Sequence, residues 1–194
     1  METGSALTRA RLHITLMRHG EPVMSASRWL APCDMGQWTA RYDAAQVHAS
    51  AIPARSIATA STACVIFAST LPRARSSASA LGHAAPRVDA RFREAALPYP
   101  LWHFPRLPPA AWVALFRLAR LCGYARGAES LATVRLRAKA ASAQLIACAA
   151  EGPVLLVGHG VMNFLIAREL RAAGWRATGR HGSGYWGTAS YHAA

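Results

Sequence analysis

The chain has 194 residues, is 53% hydrophobic and carries a formal net charge of +13. That size and apolar content suit one domain with one sizeable core, and no run of ~18 apolar residues is present to cross a bilayer. Cys33, Cys64, Cys122 and Cys148 are widely spaced without a C-x-x-C pair, which argues against a paired metal or redox motif and against a disulfide framework. Lys139 is the only lysine, so nearly all the positive charge is arginine. The arginines are dispersed and form no basic tail, which argues against a dedicated nucleic-acid module. They fit either an anionic partner or substrate, or the compositional bias of an alanine- and arginine-rich chain.

Residues Met1–Arg11 read as a tail, and 12–194 as a single domain. An apolar stretch begins at Leu12 and runs straight into Arg18 and His19, unlike a signal peptide, so a cytoplasmic protein without a membrane span is expected. Three short apolar runs, Leu12–Met17, Cys64–Ala68 and Val154–Val157, have the length and composition of buried parallel strands. Helices are predicted over Gln37–Val47, with Trp38, Tyr42 and Ala45 on one face, and over Arg73–Leu81, stopped by Gly82. Further helices are predicted over Trp112–Leu121, over Leu131–Ala150 after an N-cap at Ser130, and over Val161–Ala173 before Gly174. Thr188–His192 reads as a last strand. The Pro-rich piece Pro98–Pro109 is an irregular loop, either a lid beside a site or a plain connection. Its Tyr99, Trp102, His103 and Phe104 either line an apolar wall or pack the loop down. Arg106 either meets a second anion or lies exposed. Strands alternating with helices predict an α/β layer structure with a largely parallel sheet.

Each core strand is followed at once by residues suited to phosphate: Arg18-His19-Gly20-Glu21-Pro22, then Ser69-Thr70-Leu71-Pro72-Arg73-Ala74, then Gly158-His159-Gly160. Ligands of open α/β sheets bind beyond the carboxyl ends of the strands, beside helix N-termini. Parallel strands therefore bring two arginines and two histidines to one edge. Arginine grips two phosphate oxygens with a permanently charged fork. A neutral imidazole attacks phosphorus through one nitrogen while the other holds its tautomer. Glycines let backbone approach an anion closely, which makes Gly20 and Gly160 additional candidates. Each tripeptide alone is a weak signal; their joint placement after strands is the specific one.

A leaving alcohol needs a proton, so a carboxylic acid should stand nearby. The chain has nine carboxylates. Glu2 lies in the tail, Glu151 and Glu169 sit at or on helices, and Asp34 and Asp43 flank or occupy another. Glu94, in Arg91-Phe92-Arg93-Glu94, is one candidate acid, a surface ion pair being its alternative. Glu21, beside His19, is the other. Glu129 is either a first-turn helix charge or a supporting group.

Leu16-Met17-Arg18-His19-Gly20-Glu21-Pro22 resembles the signature of the histidine phosphatase (phosphoglycerate mutase-like) superfamily. Ser69-Thr70-Leu71-Pro72-Arg73-Ala74 and Val157-Gly158-His159-Gly160 resemble its second and third motifs, in the same order and over residues 12 to 192. The resemblance implies a three-layer α/β/α sandwich with a mostly parallel central sheet. It implies that His19 is the nucleophile that becomes phosphohistidine, that Arg18, Arg73 and His159 bind phosphate, and that Glu94 holds the position of the usual proton donor. Gly127-Ala128-Glu129-Ser130, with Arg135 on the following helix, resembles a recurring segment of the family. No metal or cofactor is implied. Val23–Leu30 and Pro32–Trp38 depart from the Asn-containing and Gly-Trp-x-Asp stretches of the mutases, and Phe92–Pro105 departs from the pattern that commonly follows the acid. The expected activity is hydrolysis of a small phosphorylated substrate; a phosphomutase and a silent phosphate-binding regulator are the alternatives. The sequence leaves the oligomeric state open.

Overall fold

A computed structural model describes residues 12–25, 29–48 and 52–194; the tail assigned to Met1–Arg11 lies outside them. The described elements are β1 (His13–Arg18), α1 (Met35–Ala44), α2 (Ala54–Ser61), β2 (Val65–Ser69), α3 (Pro72–Ala80), β3 (Arg87–Asp89), α4 (Pro109–Leu121), α5 (Leu131–Cys148), β4 (Val154–Gly158), α6 (Gly160–Ala172), β5 (Trp175–His181) and β6 (Thr188–Ala193). One sheet carries the strands in the order β3-β2-β4-β1-β6-β5. The pairs β3–β2, β2–β4 and β4–β1 are parallel, whereas β6 runs antiparallel to both β1 and β5.

Alternation along the central strands explains why helices cover both faces. Ile14, Leu16, Val154 and Leu156 point into one buried cluster with Val134, Ala138 and Leu145 of α5 and Met162 and Ile166 of α6. Met17, Leu155 and Val157 point the other way, against Ala60 of α2 and Ala78 of α3. A strand apolar on both faces needs a cover on both, and the result is the three-layer α/β/α sandwich. No helix among the described residues is long and apolar enough to cross a membrane.

Register positions the chemistry. Arg18 pairs with Gly158 across β1–β4, and Ala68 pairs with Val157 across β2–β4. The residues that follow these strands therefore leave the sheet at one level, with β4 in the middle. His19 N–H closes the arrangement by donating to the Gly158 carbonyl at 3.0 Å.

Several boundaries differ from the periodic reading. The helix expected to reach Val47 ends at Ala44, because Ala45 is extended and Val47 bridges to Pro22 instead. α4 starts at Pro109, since proline suits the first helical turn, where its missing N–H costs nothing. β3, α2 and β5 carry no long apolar run and escape that reading. The Pro98–Pro109 segment is irregular up to Pro108 and is tied down rather than free. Leu30 and Leu107 exchange backbone hydrogen bonds of 2.9 and 3.0 Å, and Trp112 donates its indole N–H to the Leu30 carbonyl at 2.7 Å. Tyr99 packs beneath it with Met35 and Phe116, whereas Trp102 and Phe104 are exposed, and neither lines the main cavity. Arg106 is exposed as well.

Candidate active site

His19 follows β1 and is 2% exposed. Its Nδ1 lies 2.7 Å from the Gly20 carbonyl. A carbonyl cannot donate, so Nδ1 carries the proton and Nε2 keeps its lone pair. Arg73 Nε–H donates to that lone pair at 3.3 Å, which requires the same tautomer. Burial, reinforced by Arg73 and Arg18 and opposed by the Gly20 hydrogen bond, pushes the imidazole down to about 3. His19 is therefore neutral across the ordinary pH range.

Arg73 occupies the first turn of α3 and is 1% exposed. Its Nη1 donates to Asp43 at 2.7 Å and to the Tyr42 carbonyl at 3.1 Å, and its guanidinium stacks 4.6 Å above the Tyr42 ring. One edge of the fork is thus fixed to α1 while Nε faces His19. His159 is the N-cap of α6, is fully buried, and lies 5.1 Å from His19 between ring centroids. Burial holds it well below 6.5, with Arg73, His19 and Arg18 acting in the same direction. Arg18 donates through Nη1 to the Ser183 carbonyl at 3.1 Å and stacks on Tyr185 at 4.6 Å. Both ring nitrogens of His159 and Nε of Arg18 are buried without a hydrogen-bond partner among the described residues. Buried polar atoms are nearly always partnered; neutral His159 has one N–H to give, and with Arg18 Nε–H that makes two unpartnered donors beside His19, which suit an acceptor-rich, anionic group.

Of the two glycines at this edge, Gly20 sits in tight packing and Gly160 does not. Gly20 donates its N–H to Ser77 Oγ at 2.9 Å, and a Cβ at position 20 would lie 2.3 Å from the Trp186 ring. A Cβ at Gly160 would come no closer than 3.9 Å to Arg18 Nε. Glu94 accepts from Val161 N–H at 3.2 Å and Met162 N–H at 3.0 Å, at the start of α6, and it borders the same cavity as His19 and Arg73. It forms no surface ion pair with the neighbouring arginines. Glu21 is exposed and does not border that cavity. Glu129 borders it, paired with Arg137 at 2.7 Å, whereas Arg135 is exposed and outside it. Among the described residues no group of three or more His, Cys, Asp or Glu side chains is arranged to hold a metal ion.

Four contributors escaped the reading of the sequence. Asp43, counted there as a helix charge, anchors Arg73. Ser77, one turn beyond Arg73, receives the Gly20 N–H and donates to the Arg73 carbonyl at 2.6 Å. Tyr185 tilts over His19 at 5.7 Å. Trp186, at a positive φ of 60°, fills the space beside Gly20. The last two sit in Gly182-Ser183-Gly184-Tyr185-Trp186-Gly187, where two aromatics among three glycines were the available signal.

An α/β sheet whose carboxyl edge presents two guanidiniums and two neutral imidazoles belongs with the phosphoryl-group enzymes of that layer architecture. The sequence matches the family model of the histidine phosphatase superfamily (branch 1) over residues 14–185, and the chain belongs to that family. Among solved structures, it is similar to a mycobacterial glucosyl-3-phosphoglycerate phosphatase in complex with VO3, at 26% identity over 83% of this chain and 82% of that one, with a TM-score of 0.52. It is also similar to a mycobacterial hydrolase, at 26% identity over 83% and 78% of the two chains, with a TM-score of 0.53. No curated protein sequence matches it. Family and neighbours support phosphatase or phosphomutase activity.

Proposed function

We propose that the chain hydrolyses a small phosphomonoester through a phosphohistidine formed on His19. The observation that carries this reading is the orientation of His19. Its Nδ1 proton is committed to Gly20, and its Nε2 lone pair faces Arg73 among buried, unpartnered donors of Arg18 and His159. A phosphate seated there exchanges the Arg73–His19 contact for bonds from Arg73, Arg18 and His159 to its non-bridging oxygens. His19 Nε2 then attacks phosphorus and the bond to the ester oxygen breaks. Glu94, bordering the cavity, delivers the proton that the leaving oxygen takes up. In the second half Glu94 accepts a proton from water, the water oxygen bonds to phosphorus, and the P–N bond breaks to return neutral His19 and inorganic phosphate. Guanidiniums aimed at the non-bridging oxygens supply the charge stabilisation that phosphoryl transfer requires.

His19→Ala should lower turnover of an aryl phosphate by about a thousandfold or more, and wild-type activity should persist in a chelator. Wild-type turnover in His19→Ala, or strict dependence on added metal, would overturn the reading. Phosphate transfer to an added alcohol outpacing release to water would assign a phosphomutase instead.

A further inference from the structure

The cavity that begins at His19 is far larger than its phosphate end. It encloses about 890 Å³, in the upper part of the roughly 300–1,000 Å³ span of pockets that bury drug-sized molecules. On the α4 side its wall turns apolar: Leu97 and Pro108 come from beside and within the Pro-rich segment, and Ala110, Val113 and Ala114 from α4, while α1 contributes Trp38 and Thr39, the latter with a buried hydroxyl that has no partner among the described residues. Four charged groups border the cavity on this side. Glu129 and Arg137 neutralise each other at 2.7 Å. Arg93 and Arg117 are solvent-exposed, where a guanidinium is satisfied by water.

Beyond the cavity lining, helical spacing continues the apolar face of α4. Residues four apart share a helix face, so Leu118 continues the stripe of Ala110 and Ala114, and Leu121 follows Arg117. Leu118 is 59% exposed and Leu121 68% exposed. A wall selecting a hydroxyl-rich or doubly acidic substrate would present hydroxyls, amides or buried cations along this stripe. Here the stripe offers only methyl and methylene surface, apart from Arg117.

We propose that the phosphorylated substrate carries an apolar body, an aromatic ring system or a branched aliphatic chain, next to the esterified oxygen, and that this body lies along α4. The inference rests on the proposal that the His19 end takes the phosphate. It separates this chain from the neighbour whose named substrate is a glucosylated phosphoglycerate, a hydroxyl-rich acid.

The test is calorimetric binding of three phosphonates to the full wild-type chain: methylphosphonate, 1-naphthylmethylphosphonate and phosphonoacetate. Burying the naphthyl ring should tighten binding about fiftyfold over methylphosphonate, with a more negative heat-capacity change. Phosphonoacetate should bind no more tightly than methylphosphonate. Val113→Thr, equal in shape but with a hydroxyl in the wall, and Ala114→Asp, on an exposed helix position, should each reduce the naphthyl-to-methyl affinity ratio at least threefold. 1-Naphthylmethylphosphonate and methylphosphonate binding within about threefold of each other, phosphonoacetate binding tightest, or a ratio unmoved in both variants overturns the apolar-body proposal. Absence of competition by inorganic phosphate overturns the phosphate-end reading and this inference with it. The expected binding order without turnover of naphthyl phosphate removes the hydrolase reading and leaves the apolar wall standing.

Discussion

The two ends of the cavity are built on different principles. At the His19 end the side chains are carried by strand ends and helix starts, His19, Arg73 and His159 are almost fully buried, and backbone fixes the His19 tautomer. At the α4 end the wall is a helix face and the ends of a strapped loop, with leucines left in solvent. The first arrangement suits a ligand group of one shape and charge. The second constrains only polarity and size. Under the proposed function the difference separates two roles: strand ends carry the reaction, and α4 with the strapped segment carries the selectivity.

The comparison breaks hardest at Arg73. Arg73→Ala removes the guanidinium facing His19 and leaves Asp43 behind in its place; turnover of an aryl phosphate should fall about a hundredfold or more, measured by steady-state kinetics. Loss of only a few-fold would mean that Arg73 is structural. Gly20→Ala comes next. Its Cβ would fall 2.3 Å from Trp186, so the indole must move, at a cost of about 1–3 kcal/mol in chemical unfolding, with turnover falling as well.

Acid should act through the same end. The unfolded chain protonates His19 and His159 near their ordinary 6.5, and the folded chain does not. Stability therefore falls as pH drops below about 6.5, and the loss from His19 levels off only once the folded imidazole titrates near 3. Thermal midpoints between pH 7 and 4 should show this slope, and His19→Gln should flatten it. Inorganic phosphate at pH 7 should raise the midpoint by mass action. The smallest effect belongs to the other end. Leu118→Gln should change stability by no more than about 0.5 kcal/mol, because the side chain is 59% exposed.

Legibility in the sequence follows the same division. Arg18, His19, Arg73 and His159 could be grouped because each lies in a segment that directly follows a short apolar run, and parallel register does the rest. Their supports could not. Arg73 reaches back to Asp43 and Gly20 forward to Ser77, contacts across the fold that no local pattern announces. Glu94 could be placed after the second strand, but besides its neighbour Ala95 its backbone donors come from the far-off start of α6. The missed strands failed for a related reason: β3 has three residues, and β5, reading Trp-Arg-Ala-Thr-Gly-Arg-His, is an edge strand exposed along most of its length. The cavity wall was invisible too, since Leu97 and Val113 line one cavity from either side of an irregular segment.

The most direct measurement is a rapid acid-free quench of the wild-type chain turning over a ³²P-labelled aryl phosphate, followed by peptide mapping. Label that is stable to base, lost in acid and located on His19 is the predicted result. Label on another residue, or steady release of phosphate with no labelled protein at any time, would contradict the account.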